Sequence, residues 1–147
     1  MALRILVPLS PLVAALSLLA CGDDDDVADH EAGAACMAVE DCYPDLDHSE
    51  LMGTVECLET SGGGYCTHHC SDDSECCAVP GECPSERPQV CAPYTNSAQK
   101  RCFLSCEDGD VEGMDPNEFC DRYAWPGAGC TSTGGGSQNR KVCGAKG

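Results

Sequence analysis

The sequence predicts a small disulfide-rich fold: three tandem four-cysteine units with short β-hairpins and one-turn helices, little regular structure, and a disordered acidic N-terminal tether. Three observations predict it. Fifteen of the 147 residues are cysteine, a density at which a short chain reads as a disulfide scaffold. After Cys21 there is no Ile, and Leu, Val and Phe together number only thirteen, too few for an ordinary core. The cysteine spacings repeat with an offset of 34 residues, the mark of an array. Acids outnumber Lys and Arg 25 to 8, for a formal charge of −17. That excludes a phosphate-neutralising stripe, so no nucleic-acid partner is expected, and it opposes electrostatic docking on anionic lipid.

Residues 1–20 read as a targeting segment and stand outside the fold. Arg4 is their only charge, and an apolar run from Ile5 to Leu19 is interrupted by Pro8 and Pro11. A membrane-spanning helix wants ~20 clean apolar residues, so this is a poor span. The run ends Leu18-Leu19-Ala20-Cys21, which resembles the lipobox of bacterial lipoproteins. The resemblance implies a diacylglyceryl thioether on Cys21, cleavage between Ala20 and Cys21, and acylation of the new amine. Cysteine parity agrees: removing Cys21 leaves fourteen, an even number, where a fifteenth would strand one thiol.

Residues 21–35 carry six acids and no base, which predicts a tether of self-repelling, non-packing residues. Beyond it lie unit 1 (36–69), unit 2 (70–105) and unit 3 (106–147). Cys36, Cys42 and Cys57 are separated by 5 and 14 residues, as are Cys70, Cys76 and Cys91. Cys66 and Cys102 close these units, each followed after a three-residue gap by the cysteine that opens the next. Cys106, Cys120, Cys130 and Cys143 form a looser third copy. Cys77 and Cys83 remain, and are expected to staple each other.

An acid stands just before the second cysteine at Asp41 and Glu75, and one residue further back at Glu118. Short helical turns are expected over 37–41, 71–76 and 115–123. Asp115-Pro116 offers an N-cap acid followed by Pro at the first helical position. Gly62-Gly63-Gly64, Pro93 to Ser97, and Gly134-Gly135-Gly136 read as hairpin tips, not phosphate cradles, since no Gly-Lys-Ser/Thr follows.

Four cysteines allow three connectivities per unit. Pairing first to third and second to fourth interlocks the loops and crosslinks hairpin to helical turn, which fixes a unit with little core as one body. That pattern is expected within each unit, with bridges confined to their own units. Each bridge stabilises by about 2–4 kcal/mol and requires an oxidising compartment, which export supplies.

The lipobox, the acidic tether and the recurring Cys-x3-Cys-x5-Cys with acids inside resemble the cysteine-rich repeat lipoproteins of predatory or social bacteria, the myxobacteria above all. The resemblance covers the whole chain and implies an exported, lipid-anchored envelope protein, with no activity attached. The central segment, with its vicinal pair Cys76-Cys77 behind Ser71-Asp72-Asp73-Ser74-Glu75, also resembles knottin and whey-acidic-protein inhibitor modules, a narrower likeness.

No catalytic constellation is visible, and no enzyme activity or cofactor is expected. Counting leaves no free thiol for a cysteine nucleophile. Cys66-Thr67-His68-His69-Cys70 has zinc-ligand residue types, but no second knuckle carries histidine, so solvated junction histidines are expected. Asp108, Asp110 and Glu112 resemble the start of a calcium loop, but the twelfth position is Phe119 where a bidentate Glu is wanted. Trp125 is expected in the small core of its unit, with an exposed sugar- or peptide-binding platform as the alternative.

The function this supports is a lipid-anchored envelope protein displaying a rigid array for binding or structural roles. Its partners would be the membrane, through the anchor, and a protein or glycan. Gly22 stands where enteric inner-membrane retention wants Asp, which favours the outer membrane. The alternative is a secreted protease inhibitor or toxin-like effector, with Arg87 in Pro84-Ser85-Glu86-Arg87-Pro88 as bait.

Overall fold

A computed structural model describes residues 32–60, 63–94, 97–134 and 136–146. Seven short strands, one α-helix and three 3₁₀ turns make up its regular structure. Each unit contributes one antiparallel hairpin. Strands β2 (Val55–Thr60) and β3 (Gly63–His68) form the first, β4 (Gln89–Pro93) and β5 (Lys100–Leu104) the second, β6 (Ala128–Ser132) and β7 (Lys141–Ala145) the third. A two-residue strand β1 (Ala35–Cys36) adds to β3, giving the order β1-β3-β2 in unit 1.

The register explains the bridges. Cys57 faces Cys66, Cys91 faces Cys102, and Cys130 faces Cys143 across their hairpins. Directly opposed residues share a sheet face, so each hairpin presents two sulfurs side by side. The first and second cysteines of the unit meet them. The bonds are Cys36–Cys57 and Cys42–Cys66, Cys70–Cys91 and Cys76–Cys102, Cys106–Cys130 and Cys120–Cys143, with Cys77–Cys83 closing a local loop. This is the interlocked pattern, and no bridge crosses between units. In every unit the second-to-fourth bridge is buried at both ends, whereas the first-to-third bridge has one half-exposed cysteine: Cys57, Cys70 or Cys130.

The segment between first and second cysteines turns once as 3₁₀ helix, Val39–Asp41 in unit 1 and Asp73–Glu75 in unit 2. The acid before the second cysteine folds back to hold it. Asp41 Oδ2 accepts from the N–H groups of Met37 (2.8 Å) and Ala38 (2.9 Å), and Glu75 Oε2 accepts from Ser71 N (2.6 Å). Unit 3 has a longer gap and forms a true helix, α1 (Pro116–Tyr123), whose N-cap Asp115 accepts from Asn117 N and Glu118 N. The cap supplies acceptors to amides that lack intrahelical partners.

The tether ends earlier than expected. Ala32 and Ala34 are buried, and Gly33 and Ala34 exchange backbone hydrogen bonds with Cys66. The reason lies in the repeat. The residue before the first cysteine pairs with the residue before the fourth in every unit: Ala35 with Tyr65, His69 with Arg101, Ser105 with Val142. The sequence before Cys36 therefore supplies the strand position that units 2 and 3 take from their predecessors. Gly64, beside Cys36 in this pairing, has no room for a side chain, since a Cβ would fall 2.2 Å from Cys36 O.

The same junction joins unit 1 to 2 and unit 2 to 3, with Cys70 N donating to Lys100 O and Cys106 N to Lys141 O. Two hydrophobic clusters result. One is rich in cystine and spans units 1 and 2, with Cys36, Cys42, Cys66, Cys76, Cys91 and Cys102 around Tyr43, Leu51 and Val55. The other is aromatic and joins all three units: Tyr65 from unit 1, Phe103 from unit 2, Phe119, Tyr123 and Trp125 from unit 3. No helix among the described residues is long and apolar enough to cross a membrane.

Candidate functional site

Of the two junction histidines only His69 reaches solvent, and it is half-buried. His68 is fully buried in the β3 strand, its ring edge-on to Tyr43 at 5.9 Å between centroids. Its Nε2 lies 2.8 Å from Glu82 Oε1 and its Nδ1 2.9 Å from His69 O. Glu82, 1% exposed, also accepts from Val79 N at 3.0 Å. Both ring nitrogens thus have an oxygen within hydrogen-bond distance, so the buried imidazole is held at both ends. The pair holds the Cys77–Cys83 loop of unit 2 against unit 1. His69 points elsewhere: its Nδ1 accepts from Gln99 Nε2 (2.9 Å), and its Nε2 sits 3.4 Å from Glu56.

Zinc would need these groups to converge with Cys66 and Cys70, but those sulfurs are bonded to Cys42 and Cys91. Three sulfurs in each unit do lie within 4.8 Å of one another, as in Cys36, Cys42 and Cys66. They belong to the interlocked bridges. Disulfide sulfurs carry no thiolate charge to offer a cation.

The calcium-loop residues diverge. Asp108 Oδ1 accepts from Lys141 Nζ (2.7 Å), and that ammonium holds its carboxyl below the usual aspartate range. Asp110 accepts from Ser105 Oγ, and Glu112 is exposed at a left-handed turn (φ 52°). No group of three metal-ligating side chains among the described residues includes them.

Trp125 is 7% exposed and meets Tyr65 edge-on at 5.1 Å, so it fills the core between units 1 and 3 and offers no platform. Arg87 is not presented as bait either. Its guanidinium carbon lies 3.5 Å from the centre of the Tyr123 ring, a cation–π contact that ties the 84–88 loop to unit 3. Arg140 performs a similar task. Its Nη1 is 2.9 Å from Asp73 Oδ2 and its Nε 2.6 Å from Glu107 Oε1. Asp73 first and then Glu107 raise the pKa of that guanidinium.

Sequence reasoning found the cysteines and the capping acids but missed these inter-unit contacts. Glu82 carried no signal, because nothing in its local pattern separates a buried acid from a loop acid. Cys21 lies outside the described residues. No family model, curated protein or solved structure matches the chain. The chain is a dense disulfide array with the character of a rigid extracellular protein, since so many bridges persist only in oxidising surroundings.

Proposed function

We propose that the protein is a non-enzymatic lipoprotein of the bacterial envelope, held by Cys21 and displaying its three-unit array beyond the acidic tether for binding or a structural role. One observation carries the reading. All fourteen cysteines from Cys36 to Cys143 are consumed in seven internal bridges, which leaves Cys21 as the one cysteine the fold does not use. It stands at the lipobox position behind an apolar run. Lipidation gives that cysteine a purpose, and Gly22 beside it favours the outer membrane. The inhibitor reading is the weaker one, because Arg87 packs on Tyr123 and Pro88 follows it.

Acyl chains stabilise membrane attachment by about 0.8 kcal/mol per buried CH₂. Cys21→Ser should therefore release the protein to the soluble fraction or halt it as an uncleaved precursor. Fractionation of cells expressing both forms reads this out. A Cys21→Ser protein that is matured and membrane-bound like the parent would rule out the anchor.

A further inference from the structure

The repeat makes an internal comparison possible. In unit 1 a groove of about 740 Å³ runs between the Val39–Asp41 turn and the hairpin, lined in part by Ala38, Val39, Cys57, Glu59 and Gly64. Their counterparts, 34 positions on in the turn and the first strand and 36 in the second, are Asp72, Asp73, Cys91, Pro93 and Lys100. These line a groove of about 500 Å³ in unit 2. It is the same groove, formed twice by the same cysteine framework.

The two differ in what walls them. The unit 2 groove is completed by the hairpin tip of unit 3, through Ser137, Gln138 and Arg140, and Arg140 is bonded to Asp73. The unit 1 groove is lined, among the described residues, by unit 1 alone. The hairpin that would cover it by repetition belongs to unit 2. That hairpin has ten residues between its cysteines where unit 3 has twelve, and its Tyr94 stacks inward on Phe103.

The chemistry of the open groove also differs. Val39 stands where unit 2 has Asp73, and Met37, 97% exposed, stands where it has Ser71. Val55 and the Cys36–Cys57 bridge continue this apolar wall. Glu59 in the lining and Glu40 beside it are exposed. Residues 36–69 hold seven acids and no Lys or Arg. A second copy of so acidic a chain is repelled, whereas a basic partner is drawn in.

We propose that this groove is the docking site for a loop of another protein, one that presents an apolar side chain flanked by lysine or arginine. The molecule itself supplies the pattern for such a partner, because an arginine-bearing hairpin tip seats against the sister groove and pairs with its Asp73. The proposal deepens the display reading by giving it a surface. It stands apart from the lipid anchor, so the failure of one leaves the other intact.

The test takes the full oxidised mature protein with ¹³C-labelled methionine methyls. The probes are two disulfide-closed hairpin peptides, one with Leu-Arg at its tip and one with Leu-Glu. The Leu-Arg peptide should shift the Met37 methyl saturably, with a Kd below about 1 mM, and leave Met52 and Met114 in place. Met52, 56% exposed, is the control for non-specific apolar contact. Met37→Ser and Val39→Asp, at exposed and half-buried positions, should each weaken binding by about tenfold. An unmoved Met37, equal movement of Met52, or equal binding of the Leu-Glu peptide would each overturn the proposal.

Discussion

The two hydrophobic clusters are built of different material. The cluster spanning units 1 and 2 takes more than half its buried residues from cystine and has one aromatic ring, Tyr43. The cluster joining all three units gathers Tyr65, Phe103, Phe119, Tyr123 and Trp125. Aromatic side chains bury large area and gain further from edge-on contacts, so that cluster resembles a small conventional core. The cystine cluster lacks such area. It relies on covalent restriction of the unfolded chain and on one buried hydrogen-bonded pair, His68–Glu82. This chain is therefore not uniformly starved of apolar contacts: its few large residues are concentrated at the unit junctions.

Full reduction is the largest perturbation and could break the distinction. Ordering a chain costs about 1.5 kcal/mol per residue, which this apolar content cannot offset without bridges. Reduction by a phosphine should therefore unfold both clusters, and near-UV circular dichroism should lose the Trp125 signal completely. A Trp125 signal that survived reduction would show that the aromatic cluster folds on packing alone. In the intact protein, thiol titration should find no free cysteine between Cys36 and Cys143.

The next effects separate the clusters. Trp125→Ala empties the aromatic one, where Tyr65 and Trp125 rings lie 5.1 Å apart, and should cost about 3–5 kcal/mol. The counterpart in the cystine region is His68→Ala, which leaves Glu82 buried without its main partner. Breaking a buried pair in this way costs about 3–5 kcal/mol, and the remaining Val79 N–H bond to Glu82 places the expectation at the lower end. Replacing both His68 and Glu82 with leucine should recover most of the loss. Urea unfolding of the three variants measures this. If His68→Ala were neutral, the His68–Glu82 pair would not be what compensates for the missing aromatics.

These two sites also mark where the sequence was legible. The units followed from the repeated cysteine spacing, and the pairing from the need to fix a unit with little core as one body; the register that sets Cys57 opposite Cys66 was visible only in the structure. The turns at Asp41, Glu75 and Asp115 followed from local chemistry, an acid within reach of unpaired amides. His68–Glu82, Arg87 over Tyr123 and Arg140–Asp73 did not follow. Each joins different units, and its partners are chosen by how the units stack, which no local spacing records. Trp125 was legible as a core residue, but not that its neighbour would be Tyr65, sixty positions earlier. Residues 32–35 look like tether by composition, which hides that each unit borrows a strand residue from the sequence before it.

The smallest effect sharpens the comparison within the repeat itself. Unit 2 caps its helical turn twice, with Glu75 on Ser71 N and with Asp72 on Ser74 N and Oγ. Unit 1 has Ala38 where unit 2 has Asp72, so Asp41 serves alone. The Met37 and Ala38 amides, in that order, hold the Asp41 carboxyl below its ordinary 3.8. A folded-state pKa depressed in this way contributes stability that is present above the unfolded value and lost as pH falls through the folded one. Asp41→Asn should therefore unfold at lower urea than the parent near neutral pH. As pH falls below the ordinary aspartate value and on through the depressed folded one, the gap should shrink, because the parent's carboxyl protonates. Asp72, lowered chiefly by the Ser74 hydroxyl and then by its amide, obeys the same sign, but Asp72→Asn should cost less because Glu75 still holds the turn. Urea midpoints for both variants at neutral and acid pH decide the matter. A gap for Asp41→Asn that did not change with pH would mean that its amide contacts act through shape rather than charge.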